Sequence, residues 1–274
     1  MVPMLFYRHR PQPPLSWFVD MLWLYESGST PHARERLLPM GTVEVVFSFE
    51  DEPMRVFDRE DRLHTFRGSV ICGPHSEYFT IDSTQQGMVM GIHFRPGGTF
   101  PFFNLPAGEL QNLHVGLDTL WGAGAGEIRE RVMEVGPPEA KLRLLEELLL
   151  ARAVRPLARH PAVAFALREL TTVPHARTIS EVTDQAGVSQ KHFIRVFSEA
   201  VGLTPKLFCR VRRFQEAIAR IHAGRRVDWT AVALDCGYFD QAHFNRDFRA
   251  FSGLNPSAYL AVRTDHMNHV PLGD

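Results

Sequence analysis

Two sets of side chains stand 51 residues apart in this 274-residue chain and offer the same chemistry. The first is Ser189, Gln190, Lys191, Arg195 and Ser198, with Ile194 among them; the second is Asp240, Gln241, Asn245, Arg246 and Arg249, with Ala242 among them. Arginine and lysine donate to guanine edges or to phosphate oxygens, and glutamine or asparagine bonds adenine through two hydrogen bonds at once. Ile194 and Ala242 either contact thymine methyls or read nothing. Glu199 and Asp247 are the acids within these two stretches, and both can point off the polar face.

The elements that must carry these residues are legible in the repeat itself. "HFIRVFSEAVGLTPKLF", from His192, aligns without a gap to "HFNRDFRAFSGLNPSAY", from His243. Ile179, Val182 and Ala186 recur at helical spacing ahead of Gly187, a C-cap, and Ser189 then caps a second helix burying Phe193, Val196 and Phe197. The second copy repeats the plan with Trp229, Val232, Ala233 and Leu234, a break at Gly237, a cap at Asp240, and Phe244, Phe248 and Phe251 inward. Its turn holds one extra residue, since Gly187 to Ser189 is two steps and Gly237 to Asp240 is three. Between the copies Thr204 caps and Pro205 opens one amphipathic helix through Leu207, Val211, Phe214, Ile218 and Ile221, ending near Gly224. Some 18 residues at 1.5 Å each span ~27 Å, enough to hold two modules roughly one DNA turn, ~34 Å, apart. Paired amphipathic helices also build plain bundles, in which the aromatics would be core all the same; the polar faces argue for the first reading.

Composition sets the frame. The length suggests two domains, and 45% hydrophobic with 22% charged residues is ordinary for a globular protein. Cys72, Cys209 and Cys236 show no C-x-x-C spacing, which argues against a disulfide frame or structural zinc, and a reducing cytoplasm is expected. There is no uninterrupted apolar run of signal-peptide or membrane-spanning length. The net charge of −1 conceals an asymmetry: Thr178 to Arg263 carries 12 Lys and Arg against 8 Asp and Glu, while the part before it is net −3. The excess alone is equally that of a solvated face.

"CGYFDQAHFNRDFRAFSGLNPSAYL" resembles the signature of AraC/XylS-type transcriptional regulators: a Gly, an aromatic pair, H-F-x-R-x-F and a G-x-x-P-x-x-Y ending. The likeness covers about Thr178 to Arg263, and Leu260 departs from it where the family usually has Arg. It implies two helix-turn-helix units placing two recognition helices in successive major grooves of double-stranded DNA.

Before about residue 150 the pattern is strand-like. Thr42 to Phe49 and Gly87 to Phe94 are β-rich apolar runs bounded by Pro/Gly turns, predicting a small barrel or sandwich. "AGEIRERVMEVG" and "PPEAKLRLLEELLLARA" follow as helices; the second, with Leu142, Leu145 and Leu149 on one face, is either a dimer seam or packed on its own barrel. More weakly, this half is similar to the cupin-like sensory domains attached to many such regulators, which implies a sensor without naming its effector. Glu44, His93 and Arg95 are polar residues in apolar strands, and period two puts His93 and Arg95 on one face. They line an effector cavity or form the wet side of a half-buried sheet, the wet side being the plainer reading. His75, His93 and His114 look isolated, so neither a metal nor another cofactor is expected. Cys72 has no His or Arg beside it to favour a thiolate.

The expected fold is α+β in two domains. Residues 1–155 form the β-rich, cupin-like sensory or dimerisation domain with its two helices, and 156–172 the linker and first helix of the second half. Residues 173–265 form the all-α tandem helix-turn-helix domain, and 266–274 a loose tail in which His266 and His269 are solvated. The expected function is a sequence-specific transcriptional regulator, not an enzyme, with RNA polymerase, a small-molecule effector and a second copy of the chain as further partners and no membrane. A cupin-type metalloenzyme, a DNA-alkyl acceptor using Cys72, and an interaction module without DNA binding are the competing readings.

Overall fold

A computed structural model describes residues 5–26, 33–84, 87–172, 177–224 and 227–272. The chain opens with strands β1 (Leu5–His9), β2 (Val19–Glu26), β3 (Arg34–Leu37), β4 (Glu44–Ser48), β5 (Met54–Phe57), β6 (Leu63–Phe66), β7 (Ser69–Cys72), β8 (Phe79–Asp82), β9 (Met88–Phe94) and β10 (His114–Gly116). Helices α1 (Leu117–Trp121), α2 (Gly124–Met133) and α3 (Pro138–Ala151) follow. The second half is α4 (Pro161–Thr172), α5 (Ile179–Ala186), α6 (Gln190–Val201), α7 (Pro205–Ala223), α8 (Trp229–Asp235), α9 (Gln241–Ser252) and α10 (Pro256–Val262), and a last strand, β11 (His269–Leu272), ends the described chain.

The β-rich half is two antiparallel sheets, ordered β1-β2-β9-β4-β7-β10 and β11-β3-β8-β5-β6. Strand alternation gives the first sheet two inner faces. Leu22, Ile92, Val45 and Ile71, paired in register, turn to α1–α3 and pack on Trp121, Ile128, Leu142, Leu145 and Leu149. Leu142, Leu145 and Leu149 are almost wholly buried there, so of the two roles expected for this face, packing on its own sheet is the one the fold uses. The alternate residues His93, Glu44, Cys72 and His114 turn to the second sheet, where the His114 ring lies 4.4 Å from Phe79 and 6.2 Å from Phe66.

The helical half is organised by local signals. Thr178 and Glu181 form a capping box on α5, Ser189 accepts from the His192 N–H, Thr204 from Leu207, Asp228 from Thr230 and Ala231, and Asp240 from His243. Each cap satisfies N–H groups that a helix start leaves without partners. Phe193, Phe197, Phe208, Phe214, Phe244, Phe248 and Tyr259 are fully buried in one core around α7, which runs 19 residues. Arg210 of α7 grips the buried Asp247 of α9 through two hydrogen bonds, at 2.7 and 3.3 Å.

The tail does not hang free. β11 pairs with β3 from His269 opposite Leu37 to Leu272 opposite Arg34, Val270 is buried in the helical core beside Leu38, and His269 Nδ1 lies 2.7 Å from Glu35. The residues were read as a solvated end because their partner strand lies some 230 positions earlier, where no local pattern reports it.

The halves are therefore joined. Gln215 of α7 donates to Pro39 O and to Asn268 Oδ1, both at 2.9 Å, and Arg36 of β3 donates to Ser252 O at the end of α9 while stacking on Tyr78. Gly202 and Gly253, the same position in the two copies, both adopt positive φ as helix caps. A side chain at Gly202 would strike Pro74 and the Ala107 carbonyl, and one at Gly253 would come within 2.6 Å of Tyr78. Only glycine allows both the left-handed cap and so close a neighbour.

Candidate nucleic-acid interface

Every candidate on the two polar faces is exposed: Ser189, Gln190, Lys191, Ile194 and Arg195 at and after the start of α6, and Asp240, Gln241, Ala242, Asn245, Arg246 and Arg249 at and along α9. The cores under both helices hold them in this orientation. Phe193 and Phe197 bury one side of α6, Phe244, Phe248 and Phe251 one side of α9, and the polar residues fall on the other by helical period. Ser189 and Asp240 use their side-chain oxygens as caps, so they fix where each helix begins.

The two faces differ in ways the sequence did not show. Glu199 does not point off the face: it receives both hydrogen bonds of Arg195 Nη1, at 3.0 and 3.1 Å, because i and i+4 share one side of a helix. Asp247 does leave the face, drawn into the core by Arg210, as expected. Ser198 is half-buried against the short turn at Ala107–Leu110, its hydroxyl without a hydrogen-bond partner, while Glu199 next to it stays exposed. On α9 Thr230 of the preceding helix donates to Gln241 Oε1 at 3.3 Å.

The N-terminal candidates separate. Glu44 and His93 meet between the sheets, His93 Nδ1 lying 3.7 Å from Glu44 Oε1, which also accepts from the Trp23 indole at 2.8 Å. Burial opposes charge on both, but the pair and the Trp23 bond outweigh it, leaving Glu44 below the usual carboxylate range and His93 above the usual imidazole value. Their side chains keep 21% and 18% exposure on the inward face, so the wet-side reading fails for them. It holds for Arg95, which lies one residue beyond β9, bonds Ser16 O and Asp20 at the surface, and is not on a shared strand face with His93.

The histidines are not isolated either. The His75 and His114 rings are 4.6 Å apart, and the row His93, Glu44, Cys72, His114 crosses four neighbouring strands. Among the described residues, however, no three His, Cys, Asp or Glu side chains converge on a metal position. Burial and the Glu44 charge push the Cys72 thiol far up, the reverse of a reactive thiolate.

Comparison with known proteins follows the same division. Residues 182–261 match the family described as a helix-turn-helix domain, and residues 7–116 match a domain of unknown function, DUF6597. An uncharacterized HTH-type transcriptional regulator of Haemophilus influenzae is 32% identical over 81 residues, 30% of this chain and 27% of that protein. The probable transcriptional regulator LumQ of Photobacterium leiognathi is 28% identical over 82 residues, 30% of this chain and 33% of its own. The chain thus spans about a third or less of the length of these curated relatives. Among solved structures, a probable AraC family transcriptional regulator from Rhodopseudomonas palustris aligns with 37% of this chain and 96% of its own at 29% identity and TM-score 0.34. ToxT from Vibrio cholerae aligns with 94% of this chain and 97% of its own at 9% identity and TM-score 0.48. No helix among the described residues is long and apolar enough to cross a membrane. The matches thus divide the chain as the fold does: the segment 182–261, with its duplicated signature, paired caps and joining helix, matches the helix-turn-helix domain family, and the two-sheet part before it matches DUF6597 over residues 7–116.

Proposed function

We propose that the protein is a sequence-specific DNA-binding transcriptional regulator that lays α6 and α9 into successive major grooves. The observation that carries this is the pair of equivalent, exposed polar faces held by one rigid helix, α7, whose 19 residues span ~28 Å. Gln190, Lys191 and Arg195 serve one half-site, and Gln241, Asn245, Arg246 and Arg249 the other. The test is selection of bound duplexes from a random pool with the full chain. Two half-sites centred ~10 bp apart, with affinity falling steeply in salt as phosphate contacts release counterions, is the expected result. No binding at low salt, or a single half-site, overturns the reading.

The N-terminal domain is the regulatory part in this reading, and a small-molecule effector belongs in the space between the sheets. Its support is the Glu44–His93 pair, a carboxyl and an imidazole set together in an apolar interior and still partly open. Ligand-induced shifts in melting of the full chain that disappear in Glu44→Gln would bear this out; shifts unchanged by Glu44→Gln would place the effector elsewhere. RNA polymerase and a second copy of the chain are the remaining partners of the proposal. A dimer would use a surface other than the Leu142–Leu149 face, which is closed within the chain.

A further inference from the structure

The extra residue in the second turn has an identity. Val188 N donates to Thr183 O and Tyr238 N to Ala233 O, the same six-residue closing bond in the two copies, so Tyr238 answers to Val188. Ser189 follows Val188 directly as the cap of α6, whereas Phe239 stands between Tyr238 and the cap Asp240. Phe239 is thus the inserted residue. Tyr238 fills the core position, being 3% exposed and packed edge-on against Phe244, while Phe239 is 87% exposed, beyond any other large apolar side chain described.

A single exposed aromatic on a surface needs no explanation in itself. Its place gives it one. It sits on the backbone immediately before the recognition helix of the second module, the end that faces the groove in helix-turn-helix docking. Three residues on, Ala242 is also exposed and apolar, and between them Gln241 has its carbonyl oxygen held by Thr230, which leaves the amide N–H group as its outward donor. In the major groove thymine alone offers an apolar methyl beside an acceptor, O4, and phenylalanine and alanine are among the side chains that pack on that methyl.

We infer that Phe239 is a specificity residue of the second module, reading the C5-methyl of a thymine whose O4 accepts from Gln241. The inference rests on the DNA-binding reading above. The first module, which lacks the inserted residue, has no counterpart, so the two half-sites are read unequally although their helices are near copies.

The experiment uses the full chain, the duplex selected with it, and single thymine-to-uracil replacements under the α9 half-site, which delete one methyl and nothing else. Phe239→Ser and Phe239→Leu are the variants; the side chain being exposed, both should melt as wild type does, and that is measured first. Wild type should lose about fourfold in affinity at one uracil position, the size expected for one buried methyl. Phe239→Ser should lose a similar factor on the thymine duplex and nothing further on the uracil duplex, with Phe239→Leu in between. Phe239→Ser binding as wild type, or keeping the full uracil penalty, overturns the inference. So does normal binding by Phe239→Ser coupled with lost transcription by purified RNA polymerase, which would turn Phe239 toward the polymerase. Failure of the wild-type chain to bind any duplex would instead remove the regulator reading on which the inference stands.

Discussion

Arg195 and Arg246 hold the same position in the two copies, yet they should not weigh equally on DNA. Arg195 is tied to Glu199 by two hydrogen bonds across one helical turn, at side-chain exposures of 59% and 48%. The position four residues beyond Arg246 is Ala250, so no such acid follows it. An exposed i,i+4 pair is worth ~0.3–0.5 kcal/mol, so Arg195 gives up about that much on leaving Glu199 for a base or phosphate. Arg246→Ala should cost ~1–3 kcal/mol of binding, and Arg195→Ala should cost less by the value of the pair. Glu199→Gln removes the tie and one negative charge from a face that meets phosphates, so affinity should rise about twofold at fixed salt, the factor equivalent to ~0.4 kcal/mol. Fluorescence anisotropy with the selected duplex at one ionic strength reads all three, and the Arg195→Ala/Glu199→Gln double variant shows whether the gain depends on Arg195. Weaker binding by Glu199→Gln, or a larger loss for Arg195→Ala than for Arg246→Ala, would refute the reasoning, because it would mean the pair orients Arg195 productively.

Three further outcomes are expected. Five base pairs inserted between the half-sites turn one by about half a helical turn, so α7 can no longer seat both helices and affinity should drop to that of a single half-site; unchanged affinity in gel shifts would show that only one copy reads DNA. Val270→Ala, removing two methyl-sized groups from the core under β11, should cost about 2 kcal/mol in urea unfolding of the full chain, and no loss would mean that the strand does not sit on β3. Burial holds His75 down to about 4 and lowers His114 as well. The unfolded chain takes up these protons near pH 6.5 while the folded chain resists, so stability should fall as pH drops from about 6.5 toward 4, and His75→Phe should flatten that fall by up to ~1.4 kcal/mol per pH unit in melts across the range.

What could be read ahead of the structure was what is written locally. Caps such as Ser189 and Asp240 act on N–H groups three residues away, and the aromatic spacing of α6 and α9 lies within one helix, so the helical half was legible down to its exposed face. Glu199 was misplaced because its direction depends on which side of α6 Arg195 occupies, and either side satisfied the charge pattern. The interior row of the first sheet was hidden by sheet order. Cys72, His93 and Glu44 are 21 to 49 residues apart in sequence and become neighbours only because β9 and β7 flank β4. Arg95 was drawn into the same site by extending period two one residue past the end of its strand.

Gly202 ends α6 against Pro74 and the Ala107–Leu110 turn, and Gly253 ends α9 against Tyr78 and Arg36. The same glycine of the motif thus serves twice as a seat on the β-rich half, for α6 beside the turn leading into β10 and for α9 on β3. These seats belong to different parts of that half: β3 lies in the second sheet, held between β8 and β11, while Pro74 and Ala107 are in the loops flanking β7 and the edge strand β10 of the first. The separation of α6 and α9 is therefore set by α7 and also by the packing of one sheet on the other. Packed interiors pass displacement on with little compression. A rearrangement between the sheets, where Glu44, His93 and His114 lie, would move the two seats relative to each other, and α7 would have to bend or one glycine contact would have to open. Arg36, reaching from β3 to the Ser252 carbonyl at the end of α9, ties the second of these seats directly to a strand of the second sheet.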